Sequence, residues 1–100
     1  MRKIELEMVH NITSGQNWSK ANTAITRAEH EYESIMGVYL HGNHIATIIG
    51  AAHGRDEWLV DVNTRTLRTF PTRTTMSRLR ALGVDVHTHK GEVLLDGEAI

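Results

Sequence analysis

One hundred residues give room for a single domain and little for a deep catalytic cleft. There is no cysteine, which excludes disulfide staples and thiolate zinc sites, and no apolar run reaches membrane-spanning length. The net charge of −1 conceals an asymmetry: between Asp61 and Lys90 five Arg and one Lys stand against two Asp, while Glu92, Asp96 and Glu98 follow without a base. A locally positive segment permits phosphate contact without demanding it. Met1-Arg2-Lys3 leads into alternating charge rather than an apolar signal core, so a cytoplasmic protein with no membrane partner is expected.

Ile4, Met8 and Ile12 recur at helical spacing, Val9 extends the set, and Ser14-Gly15 stops it. This predicts a helix over residues 3–13, the competing reading being a strand in which Ile4, Leu6 and Met8 alternate with charge. Residues 16–22 read as a polar loop that Trp18 anchors to the body. A short strand over 23–27 and a charged link through Glu29, Glu31 and Glu33 follow. Residues 34–41 and 44–49 are β-prone runs around Gly42-Asn43, which predicts a hairpin with a type II′ turn. That register opposes Leu40 to Ile45, Val38 to Thr47 and Met36 to Ile49, and on the other face sets His41 against His44 and Tyr39 against Ala46.

Residues 50–55 form a loop of small residues, after which Trp58, Val60 and Val62 alternate with Leu59 and Asp61 as a strand. Asn63-Thr64 reads as a turn into another strand over 65–70, with Leu67 opposite Val60. Pro71 ends that strand, and Thr72 or Thr74 caps a helix whose Met76, Leu79 and Leu82 share a stripe with Thr72 and Thr75. Arg73, Ser77 and Arg80 lie opposite that stripe, with Arg78 on the flank, and Gly83 closes the helix. The period then changes to two: Val84 and Val86 rise, the chain turns at His89-Lys90-Gly91, and Val93 and Leu95 return. The fold class is α+β with a mainly antiparallel β-sheet of about five to seven short strands, an N-terminal helix and a second helix near 73–82. Trp18, Val38, Leu40, Ile45, Trp58, Val60, Leu67, Leu79 and Leu82 are its expected core.

Three groups of residues carry candidate chemistry. Asp85-Val86-His87-Thr88-His89 would put both imidazoles on one strand face, as metal-dependent hydrolases do, with His41 and His44 a second pair within ~5.5 Å across a two-residue turn. Solvated strand and hairpin-tip histidines are the plainer account of His41, His44, His87 and His89. Arg73, Ser77, Arg78 and Arg80, with Lys90 on the hairpin turn, are candidate nucleic-acid contacts, the plainer account being a solvated face paired with the acidic tail. No Ser/His/Asp arrangement or phosphate-cradling glycine loop is apparent, so the expectation is a non-enzymatic binding module with no cofactor.

The Asp-x-His-x-His run resembles the opening motif of amidohydrolase and PHP-type enzymes, and with Glu92 the cupin pattern. It sits at the wrong end of a chain less than half the length of the former, and its Glu comes too early for the latter. The segment from Ser77 to Val86 and the hairpin after it resemble the end of a winged helix-turn-helix domain, without the two helices that should precede them. A longer likeness rests on Asn17-Trp18-Ser19-Lys20 with Asn22-Thr23, on Val38-Tyr39-Leu40-His41-Gly42-Asn43-His44-Ile45-Ala46, and on the Thr-x-Thr-Thr-x-x-Arg-Leu run beginning at Thr72. Together these resemble small accessory proteins of tailed bacteriophages. That resemblance implies action inside an infected bacterium, on a host protein first and a nucleic acid second, and the free edges of a short sheet add a homodimer as a further expectation.

Overall fold

A computed structural model describes residues 1–28 and 34–100; the charged link with Glu29, His30, Glu31 and Glu33 lies outside the described residues. Helix α1 (Lys3–Thr13) is followed by strands β1 (Trp18–Lys20), β2 (Thr23–Ala28), β3 (Ile35–Leu40), β4 (Asn43–Ile49) and β5 (Leu59–Val62), with a 3-10 turn at Ala51–His53. Helices α2 (Thr64–Thr69) and α3 (Arg73–Ala81) lead to β6 (Val86–His89), β7 (Glu92–Leu95) and β8 (Glu98–Ala99). Strands β1 to β5 form one antiparallel sheet in chain order, and β6 to β8 form a second. This is the expected α+β class, with helix α1 where the periodicity predicts it.

The large sheet buries one face. Met36, Val38, Ala46 and Ile48 are fully buried there, and Val60 and Val62 continue the same face through the pairs Ile48–Val60 and Ala46–Val62. Met8 and Ile12 of α1, Leu67 of α2 and Met76, Leu79 and Leu82 of α3 complete the same core cluster. Every expected core residue joins it, Trp18 and Val60 as partly buried members.

Three local expectations are corrected. The β3–β4 turn is His41-Gly42, with φ of 52° and 79°, rather than Gly42-Asn43. Two positive φ values are the signature of a type I′ turn, whose twist matches the flanking strands. Leu40 therefore pairs with Asn43 and Tyr39 with His44, and the register then shifts by one so that Val38 opposes Ala46 and Met36 opposes Ile48. The extra residue is Ile45, and the bulge lets Ile45 and Ala46 both bury, which strict alternation forbids. His41 stands in the turn and does not face His44. Of residues 65–70, expected as a strand, 65–69 lie in α2 and Phe70 ends it: the Asn63 carboxamide caps the helix by accepting from the Thr66 N–H at 3.1 Å, and this cap overrides a threonine-rich composition that favours strand. Residues 16–22, expected as loop, contain β1, and Trp18 pairs with Ile25.

Helix α3 begins and ends as its sequence requires. The Thr72 hydroxyl accepts from the Thr75 N–H at 3.1 Å. At the other end Gly83 takes φ +100°, its N–H donates to Arg80 O, and the Val84 N–H donates to Leu79 O. This is a Schellman closure. It turns the chain sharply into β6, and Arg80 Nε fastens the turn by donating to Val86 O at 2.8 Å.

One polar device crosses the core. Arg78 is 3% exposed and Glu5 2%. Arg78 Nη1 donates to Glu5 Oε2 at 2.7 Å, and its Nε donates to Thr23 Oγ1 at 3.0 Å. The Ser77 hydroxyl donates to the same Glu5 oxygen at 2.6 Å, while the Arg2 N–H donates to Glu5 Oε1 at 3.2 Å. Burial works to raise the Glu5 pKa, but the bonds from Ser77, Arg78 and the Arg2 N–H and the Arg78 charge outweigh it, holding the carboxyl below its ordinary 4.5.

Replacing one partner leaves a buried charge alone. Glu5→Leu and Arg78→Met are each expected to cost about 3–5 kcal/mol in urea unfolding, and the double variant much less than their sum. Because the folded pKa is depressed, the Glu5 contribution is present above pH 4.5 and disappears as pH falls through the folded value. The stability gap between the wild type and Glu5→Gln should therefore narrow on acidification; a gap that stays constant would show that Glu5 is not held as the carboxylate.

Candidate binding cleft

The nucleic-acid candidates divide between the interior and the surface. Arg78 and Ser77 are turned onto Glu5 inside the protein, so Arg78 has no path to a phosphate. Arg73 and Lys90 are exposed, and Arg80, also exposed, is tied to β6. Arg78, expected on the flank of the apolar stripe, is buried with it.

The metal candidates are likewise separated by role. His41 occupies the β3–β4 turn. His44 Nδ1 accepts from Asn63 Nδ2 at 3.0 Å, which assigns the proton to Nε2, 2.8 Å from Thr47 Oγ1. His87 and His89 are exposed on β6, with His87 Nδ1 3.7 Å from an Asp85 oxygen. Among the described residues no three His, Cys, Asp or Glu side chains converge as a metal-holding group.

A concave surface forms instead along β5. A cleft of about 420 Å³ separates this edge of the large sheet from the start of the small one. Trp58, Val60 and Val62 line one side and Leu82, Val84 and Leu95 the other, with Arg55, Asp61 and Asp96 adding charge. Its walls are fixed from below: Trp58 Nε1 donates to Leu82 O at 3.0 Å, joining the entry of β5 to the end of α3. The Asp96 N–H donates to Asp85 O at 2.8 Å and holds the far rim.

The backbone of β5 is half satisfied. Asn63 donates its N–H to Ile45 O at 2.8 Å, which continues the β4–β5 ladder beyond the Ala46–Val62 pair. Alternation in an antiparallel ladder then turns the polar groups of Leu59 and Asp61 toward β4 and those of Val60 and Val62 outward. With β5 last in the sheet, Val60 and Val62 present N–H and C=O groups to the cleft. Their side chains face the core, and those of Leu59 and Asp61 project to the other, exposed side of the strand at the edge of the cleft, Leu59 at 67% exposure.

Trp58, Val60 and Val62 are legible in the sequence as strand residues, the first two also as core, but not as a cleft, and nothing local pairs Glu5 with Arg78. The signal for Glu5 was its place three residues before Met8 on the buried stripe of α1. For the cleft the signal was a strand followed directly by a helix cap at Asn63.

Fold and cleft define a small α+β module with two antiparallel sheets and an open-edged groove between them. Over residues 1–98 the chain matches the family of the Kyanoviridae Gp96 protein, and it belongs to that family. It is thus a small bacteriophage accessory protein, in agreement with the likeness carried by its tryptophan, hairpin and helix patches. No curated protein and no solved structure matches it. Among the described residues no helix is long and apolar enough to cross a membrane.

Asn63 both caps α2 and holds His44. Asn63→Ala is expected to cost about 1–2 kcal/mol in thermal or urea unfolding and to speed amide exchange at Thr66. Unchanged exchange there would remove the cap from the account of how β5 ends.

Proposed function

We propose that this phage protein is a non-enzymatic binding module that takes a segment of a host protein as an added strand on β5. The observation that carries this reading is the outward-facing backbone of Val60 and Val62 along a cleft of mixed apolar and charged lining. A free sheet edge gives affinity through main-chain hydrogen bonds, and the neighbouring pockets give specificity through alternate side chains. The volume is in keeping with ligand clefts, which run from about 300 to 1,000 Å³. The edge is short, four residues, and carries Asp61, features that limit indiscriminate pairing.

Nucleic-acid binding is the second reading, favoured by the exposed Arg65, Arg68 and Arg73 on α2 and α3. It loses the contribution of Arg78 and Ser77, and the acidic residues of the C-terminal hairpins oppose it. A homodimer through paired β5 edges is a third occupant of the same surface.

Val60→Pro separates these readings. Proline is tolerated on an edge strand whose N–H faces outward, so the variant should stay folded, with melting cooperative and close to wild type. A host protein retained by the wild type should be lost by the variant, and amide exchange at Val60 and Val62 should slow in the complex. Retention by both proteins would move the interface away from β5. Duplex DNA binding that falls steeply with salt and survives Val60→Pro would favour the arginine surface.

A further inference from the structure

We infer that the β5 slot selects an extended segment in which apolar residues alternate with Lys or Arg. This rests on the strand-addition reading and specifies its partner. A strand laid along β5 sends successive side chains to opposite faces. Those on the Val60/Val62 face enter the cleft against Leu82, Val84 and Leu95, which suits β-branched and aliphatic residues.

Those on the other face run beside Leu59 and Asp61, where the exposed Asp61 carboxylate meets the incoming strand directly. The rim opposite is acidic too: Asp96 lines the cleft and Asp85 is bonded to it through the backbone, both exposed. Arg55 is the basic residue on the lining. The charge that complements this surface is positive, and on the incoming strand it belongs to the side chains that share a face with Asp61. A nucleic-acid backbone would meet like charge here. A second copy of β5, centred to pair Val60 with Val62, would set Asp61 against Asp61, an arrangement that antiparallel strands disfavour.

The test uses two fluorescein-labelled synthetic peptides, Lys-Val-Lys-Val-Lys-Val-Lys and Glu-Val-Glu-Val-Glu-Val-Glu, titrated against the whole protein by anisotropy. The lysine peptide is expected to bind about tenfold more tightly than the glutamate peptide, the combined effect of gaining attraction and losing repulsion at the paired positions. In an Asp61→Asn/Asp96→Asn variant the preference should fall to about twofold or less. Val60→Pro should weaken the lysine peptide, which shows that it binds at the edge and not merely to acidic surface. Equal binding of the two peptides, both lost in Val60→Pro, would overturn the charge selectivity and leave the strand slot standing. Binding of neither, or lysine-peptide binding indifferent to Val60→Pro, would overturn both.

Discussion

The buried pair of Glu5 and Arg78 sets the arrangement that the rest of the molecule builds on. Its partners lie 73 residues apart and join the first turn of α1 to the middle of α3. Through Thr23 and Asn22 the same guanidinium reaches the β1–β2 turn, with Arg78 Nη2 3.4 Å from Asn22 Oδ1. Two charges removed from water are tolerable only when their remaining hydrogen-bonding capacity is met, and here both carboxylate oxygens and all three guanidinium nitrogens have partners. No buried side-chain polar atom among the described residues lacks one. Such a pair adds little stability over a well-packed apolar one, but its hydrogen bonds are met with α3 in the rotation seen here. That rotation directs Leu79 and Leu82 into the core and Arg80 toward β6.

From there the geometry passes to the cleft. With α3 fixed, its Schellman end places Leu82 O where Trp58 can donate to it. Trp58 immediately precedes β5, so the edge of the large sheet is positioned by the end of the helix beneath it. The small sheet leaves the same helix end and carries Val84 and Leu95 to the opposite wall. The two sides of the groove therefore share one anchor, and loss of the ion pair would disturb both.

Much of this was legible from residue order. The α1 stripe, a threonine cap at Thr72 or Thr74, the Gly83 stop and the core residues follow from spacing and cap chemistry, because those signals are local. The register of β3 and β4 was not: alternation alone cannot announce that Ile45 and Ala46 will both be buried by a bulge. Strand β8 was missed although Asp96-Gly97 is a strong type I′ signal, with φ of 53° and 84°, because a two-residue strand leaves almost no pattern of its own. Charge places most arginines at the surface, and nothing near Arg78 in the sequence marks it as an exception. Its destination depends on Glu5, and a contact across the whole chain leaves no periodic trace.

The misread segment is also the one that makes the candidate site. Had residues 65–70 continued as a strand folded back on β5, with Leu67 opposite Val60, the outward groups of Val60 and Val62 would be paired and the sheet would have ended one strand later. Instead Asn63 accepts from Thr66, the chain leaves the sheet as α2, and Leu67 packs into the core beside β4. Pro71 then lets Thr72 start α3 without any return to the edge. Turn residues and cap residues look alike in a sequence, since Asn and Thr serve both. The choice between them at Asn63 leaves β5 open, and an open edge beside a groove is what a strand-shaped partner requires.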